Sequence, residues 1–233
     1  MPNGDFMQNI IVTGAAGNSG KAAIQRFLEK NYRVHGTLRP DSTPDLLDNE
    51  KLFLYEVDLL NEDSCTDFIK KVNEQFGEIH GAAMLAGGFS MGNIQTADQA
   101  AISQMLNLNF KTAYNIARPV FKLMFESQKT GTLIFIGAMP ALKPEIGKDV
   151  LAYALSKSLL FNLVNFLNAE GKSKSIISKI VVPGIIDTSQ NRKAMPDADF
   201  SKWNTPESLA EIIETEISKS AKDYRTTVIE AFL

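Results

Sequence analysis

Short apolar runs alternate along this chain with longer stretches in which apolar residues recur every three or four positions. Asn9, Ile10, Ile11, Val12 and Thr13 form one such run, of the kind found in strands buried on both faces of a parallel sheet. After a glycine-rich turn, Ala23, Ile24, Phe27 and Leu28 share one face of a helix. A second strand over 32–38 completes a strand–helix–strand unit of ~30 residues. The rhythm then repeats, with further strands predicted at 52–57, 79–85, 132–136, 176–182 and 226–230. Asn61 is placed to cap a helix through Phe68, Ile69, Val72 and Phe76 that Gly77 ends. Two helices are predicted over about 96–106 and 109–127, and a long one from 151 to about 170. Between 187 and 204 the chain turns polar; a helix then starts near Pro206, with proline in its favoured first-turn place. No internal repeats, low-complexity runs or linkers interrupt the 233 residues. The pattern predicts an α/β fold, a doubly wound parallel sheet in a single domain over 1–233.

Composition narrows the function. A formal charge of −3 lacks the basic excess of a nucleic-acid surface, so no nucleic-acid partner is expected. No apolar run approaches the ~18 residues of a membrane span. The opening residues, Met1 to Met7, lack the basic and apolar blocks of a signal peptide, and a cytoplasmic protein is expected. A lone cysteine, Cys65, excludes an intramolecular disulfide and a cysteine-built zinc site. With His35 and His80 far apart, neither a metal centre nor a Ser-His triad is expected.

Three stretches carry chemistry. Gly14, Gly17 and Gly20 fall between the first strand and the first helix, with Asn18 and Ser19 among them. In that context the first glycine allows a tight turn, the second lets backbone approach a pyrophosphate, and the third lets helix pack on strand. This is the dinucleotide seat of a Rossmann fold. At the end of the second strand, an acidic residue would accept from an adenosine ribose 2′-hydroxyl; the chain instead has Thr37-Leu-Arg-Pro40, with no carboxylate until Asp41. Arg39 can pair with a 2′-phosphate, which favours NADP(H) over NAD(H), or be an ordinary solvated arginine. Asp58, followed by Leu59, can cap the adenine amino group or simply punctuate a strand end. The third stretch, Leu151-Ala-Tyr-Ala-Leu-Ser-Lys-Ser158, sets Tyr153 and Lys157 one helical turn apart on one face. An ammonium beside a phenol is expected to lower the tyrosine pKa toward working pH, readying it to pass a proton.

Together, the glycine turn, Ala86-Gly-Gly88 after the fourth strand, Tyr153-x-x-x-Lys157 and Pro183-Gly184 after the sixth resemble the short-chain dehydrogenase/reductase family over essentially the whole chain. The resemblance implies that Tyr153 is the general acid and that Lys157 binds the nicotinamide ribose. It places Asn109 where the family holds a proton-relay water, although a helix-start cap reads equally well there. Ala86, Gly87 and Gly88 match the turn over the adenine-ribose side, and Pro183, Gly184, Ile186 and Thr188 the segment that grips the nicotinamide carboxamide and phosphates. One departure stands out. Where the family has a serine that hydrogen-bonds the substrate carbonyl, this chain has Ala138, in Phe135-Ile-Gly-Ala-Met139.

A narrower resemblance points to the branch of the family that reduces quinonoid dihydropteridines. It rests on Ile136 to Leu142, on Ala86 to Asn93, and above all on Asp187-Thr-Ser-Gln-Asn-Arg-Lys-Ala-Met-Pro-Asp-Ala-Asp-Phe-Ser-Lys-Trp203. The chain departs from that branch at Leu38-Arg39, where the branch has an aspartate and uses NADH, and at Asn109, which the branch lacks. The resemblance implies hydride transfer to an electron-poor pterin with Tyr153 giving the proton, which makes Ala138 tolerable. Phe89 and Trp203 are then flat walls for a planar substrate, or simple packing. Residues 185–203 are expected to form a lid. The helix from Leu155 to Leu167 is apolar nearly all round, so one face is left to pair across a homodimer. A general carbonyl or quinone reductase, and a catalytically weak NADP(H)-binding sensor, are the competing readings.

Overall fold

The structure, a computed structural model, describes residues 7–40, 42, 48–219 and 227–232. Its strands are β1 (Asn9–Val12), β2 (Arg33–Leu38), β3 (Leu52–Glu56), β4 (Ile79–Met84), β5 (Gly131–Ile136), β6 (Ile176–Pro183) and β7 (Val228–Ala231). The helices are α1 (Asn18–Glu29), α2 (Glu62–Phe76), α3 (Gln99–Met105), α4 (Thr112–Ser127), α5 (Pro144–Gly147), α6 (Leu151–Gly171), α7 (Ser189–Ala194) and α8 (Pro206–Ser218). All seven strands run parallel in the order β3-β2-β1-β4-β5-β6-β7, the doubly wound sheet that the alternation predicts. Thr226, the expected first residue of the last strand, lies outside the described residues.

The pleat explains why Ile10, Ile11 and Val12 are apolar in succession. Ile10 and Val12 face α1 and α8, meeting Ile24, Phe27, Leu209 and Ile213, while Ile11 faces the opposite layer. There it joins Phe68, Val72, Ile116, Val120, Leu160 and Val164 from α2, α4 and α6. Burying each such side chain contributes roughly 1.5–3 kcal/mol, and two layers are needed because both faces of the sheet are apolar. Because β1 is flanked by β2 and β4, the crossovers diverge there and open a crevice at the carboxyl ends of β1 and β4.

The two helices expected over 96–106 and 109–127 are one. Asp98 caps α3 by accepting from the Ala101 N–H at 2.8 Å, and a π turn, Leu106–Lys111, carries the chain into α4 without leaving helical dihedrals. Asn109 is therefore not a helix-start cap. Asparagine reads as a helix breaker because its side chain competes for local backbone, but this one is 1% exposed and bonds to other elements. Cys65 packs in α2 as expected, and burial pushes its thiol up to about 12, so it is inert.

The base of the sheet holds a second buried polar cluster. His35 on β2 lies with Nε2 3.2 Å from Asn9 Oδ1 and Nδ1 3.2 Å from the Tyr55 hydroxyl, its ring against Phe53 and Phe76. Burial, aided by the Arg33 guanidinium, lowers it from 6.5 to about 4. The unfolded chain takes up this proton near pH 6.5 and the folded one only near 4. Stability is thus intact above pH 6.5 and falls by about 3 kcal/mol as the pH drops to 4. Urea titrations from pH 7 to pH 4 should show that loss, and His35→Gln should remove its share of the slope.

Candidate active site

The crevice is built from strand ends. Thr13 follows β1, and its hydroxyl oxygen accepts the N–H groups of Leu85 (2.9 Å) and Ala86 (3.0 Å), so the chain leaves β1 and β4 as a joined pair. Gly14 then takes φ +70°, where glycine alone is at ease, and a Cβ there would stand 3.0 Å from the Ala86 Cα. The Gly17 N–H closes a turn onto the Gly14 carbonyl at 3.0 Å, and a Cβ on Gly20 would meet that carbonyl oxygen at 2.1 Å. The first turn of α1, with Asn18, Ser19 and Gly20, carries no side-chain cap and no carboxylate. Its N–H groups remain available to an anion, so these residues fit the pyrophosphate of a dinucleotide.

Backbone bonds set the flank. Ala15 N–H donates to Thr37 O at 3.0 Å and Val57 N–H to Leu38 O at 2.9 Å, which brings Arg39 and Asp58 to one edge. Arg39 is exposed; Asp41, named with it in the cofactor reading, lies outside the described residues. Asp58 Oδ1 accepts from the Leu60 N–H at 2.9 Å, and the Leu59 carbonyl accepts from Asn115 Nδ2 at 3.0 Å.

On α6, Lys157 is buried and its Nζ donates to the carbonyl of Ile136, the last residue of β5, at 2.8 Å. Burial pulls this ammonium down from 10.5 to about 8. Tyr153 is pushed up from 10.0 to about 12, by burial. The expectation that Lys157 lowers the phenol does not hold in this structure. Its Nζ lies 6.0 Å from the ring centroid and is engaged by a carbonyl, so desolvation wins. Asn109 Oδ1 accepts from the Gly88 N–H (3.0 Å), and its Nδ2 donates to Gly88 O (3.1 Å) and Ser156 Oγ (3.0 Å). A Cβ on Gly87 would stand 2.7 Å from Asn109 Oδ1 and 3.7 Å from Lys157 Nζ. Phe89 packs edge-on against Tyr153, centroids 5.0 Å apart, with most of its ring exposed. Ala138 is buried and brings no hydroxyl; Ser90 has one, and its Oγ is buried without a partner among the described residues.

The far wall is stapled at its base. The Gly184 N–H donates to Asn204 Oδ1 at 2.8 Å, and Ile186 bridges Asn204 through the backbone. Thr188 caps α7, its hydroxyl accepting from the Asn191 N–H at 3.1 Å. Within the loop Arg192 pairs with Asp187 at 2.6 Å and lies 4.6 Å from the centre of the Phe200 ring, which packs on Trp203. Trp203 is 5% exposed. It is packing, not a wall for substrate.

The sequence model of the short chain dehydrogenase family matches residues 8–199. The chain belongs to that family. As a short-chain dehydrogenase/reductase it is an oxidoreductase that uses a nicotinamide cofactor. It is 26% identical to the dihydropteridine reductase of Dictyostelium discoideum over 89% of this chain and 85% of that protein. It is 26% identical to an acetoacetyl-CoA reductase of an Acinetobacter species over 76% of this chain and 74% of that one. Its fold superposes on ElxO with NADP bound at a TM-score of 0.86, with 21% identity and 96% of each chain covered.

Of the residues read from the sequence, Gly14, Gly17, Gly20 and Ala86 meet at one corner, and Gly87, Gly88, Asn109 and Lys157 at another. Three organising residues escaped that reading: Thr13, Ser156 and Asn204. Only Thr13 carried a signal, as a hydroxyl at a strand end directly before the glycine turn.

Proposed function

We propose that the chain, acting as one dinucleotide-binding unit over 1–233, reduces a quinonoid dihydropteridine at the expense of NADPH, with Tyr153 as proton donor. The observation that carries the reading is a phenol held protonated, edge-on to an exposed Phe89 with the buried Lys157 Nζ 6.0 Å from its ring, in a chain with alanine at 138. A tyrosine near 12 keeps its proton at neutral pH, which suits an acid in the reductive direction. When bound, the nicotinamide supplies hydride. Tyr153 delivers the proton to a ring nitrogen as negative charge collects there, while Lys157, held by the Ile136 carbonyl, would grip the nicotinamide ribose. Phe89 offers its face to a planar bicycle. A conjugated diimine needs less polarisation than a ketone, which accommodates Ala138.

The dinucleotide would be held by Gly14, Gly17, Asn18, Ser19 and Gly20 at the pyrophosphate, by Asp58 and Leu59 at the adenine, and by Ala86, Gly87, Gly88 and Lys157 along the riboses. Pro183, Gly184, Ile186 and Thr188 would close on the carboxamide. Arg39 at the β2 edge favours NADPH over NADH, and the bound NADP of ElxO supports that preference. A carbonyl or quinone acceptor is the second reading, supported by the acetoacetyl-CoA reductase likeness and by the unpartnered Ser90 hydroxyl. Among the described residues no helix is long and apolar enough to cross a membrane, and we place the protein in the cytoplasm. Leu155, Leu159 and Phe166 stand exposed along one stripe of α6, with Tyr114 exposed on α4, and this face supports a homodimer.

Following NADPH oxidation with quinonoid dihydropterin, then with ketones and quinones, separates the two acceptors; turnover of ketones alone overturns the pterin reading. Tyr153→Phe should cut turnover by ~10²–10⁴-fold while NADPH binding is unchanged; full activity in this variant would remove its role. Arg39→Ala should weaken NADPH by about tenfold or more and leave NADH unaffected. Light scattering should give twice the chain mass, and Phe166→Asp should halve it.

A further inference from the structure

We propose that Ser156 is a positioning residue that locks the cofactor-facing turn after β4 to the helix carrying Tyr153. The proposal rests on Tyr153 being the acid. Ser156 lies between Tyr153 and Lys157 on α6 and is fully buried. Its hydroxyl donates to the Tyr153 carbonyl at 2.7 Å and accepts from Asn109 Nδ2 at 3.0 Å.

Hydrogen counting makes this arrangement one-way. A serine hydroxyl has one hydrogen, and here the Tyr153 carbonyl takes it. The oxygen can then only accept, so it must face the NH₂ end of the Asn109 amide and never the oxygen end. The second Nδ2 hydrogen goes to Gly88 O at 3.1 Å, and Oδ1 accepts from the Gly88 N–H at 3.0 Å. Turning the amide over would set Oδ1 against two acceptors and NH₂ against a donor. Ser156 thus accepts from the same amide orientation that the N–H and carbonyl of Gly88 require, and ties that grip to α6. Gly87 beside it has no slack, since a Cβ there would lie 2.7 Å from Asn109 Oδ1 and 3.7 Å from Lys157 Nζ. The π turn at Leu106–Lys111 holds the asparagine in this bridge. The register between the turn and α6, and with it the distance from a ligand on Gly87 and Gly88 to the Tyr153 hydroxyl, is set by one buried hydroxyl.

The test uses Ser156→Ala, Asn109→Ala and the double variant of the whole chain. Amide hydrogen exchange over residues 85–93 is read without cofactor, together with NADPH affinity and turnover of whichever acceptor the natural chain reduces. Ser156→Ala should speed exchange at Gly88 by at least tenfold and lower turnover by ~10–100-fold. Adding it to Asn109→Ala should cost nothing further, because both cut the same link. Should alanine prevent folding, Ser156→Thr and Ser156→Val differ in the hydroxyl but hardly in shape; threonine should keep slow exchange and turnover, and valine lose both. Unchanged exchange in Ser156→Ala, effects that multiply in the double variant, or equal behaviour of threonine and valine would each overturn the proposal. Exchange at Gly88 judges the link even if Tyr153→Phe shows that another group is the acid.

Discussion

Where β1 and β4 part, the N–H groups of Leu85 and Ala86 run out of strand to bond to, and the oxygen of Thr13 receives both. Buried donors without acceptors are costly, and this single hydroxyl removes two of them at the point where the sheet reverses its winding. The site depends on it. Held to Ala86, Gly14 turns left-handed, α1 starts toward the crevice, and the segment after β4 is delivered to Asn109 and Lys157. A parallel sheet always opens a crevice at such a reversal; here its width is set by a few buried polar bonds rather than by apolar packing.

The fold was legible where one physical cause acts alone. β1 is buried on both faces, so Ile10, Ile11 and Val12 are apolar in succession, as are Ile180 to Val182 of β6 beyond its buried Ser178 and Lys179, and the glycine turn is forced by a carbonyl that leaves no space for a Cβ on Gly20. The site was legible in its residue types but not in its couplings. Asn109 looks like a cap because propensity reports only local competition, while its partners lie on the turn after β4 and on α6. Trp203 looks like a substrate wall until Phe200 and Arg192 are seen to fill the loop around it. The spacing of Tyr153 and Lys157 fixes a shared face, but the sign of the phenol shift depends on burial and on the carbonyl that claims the ammonium, neither of which spacing contains.

Burial drives that pair apart, the phenol up and the ammonium down. The phenol keeps its proton, and the amine is brought nearer to losing its own. Such a pair is poised to respond to charge that arrives nearby, since a new anion or hydrogen-bond acceptor shifts both groups at once.

The loop beyond β6 is closed on itself: Asn204 holds Gly184 and Ile186 at its neck, and within it Arg192 pairs with Asp187 and lies over the Phe200 ring. A segment tied off in this way is insulated from the strand that bears it. Residues between the two ends of the knot are free to be rewritten, lengthened or shortened while the sheet and α6 stay as they are.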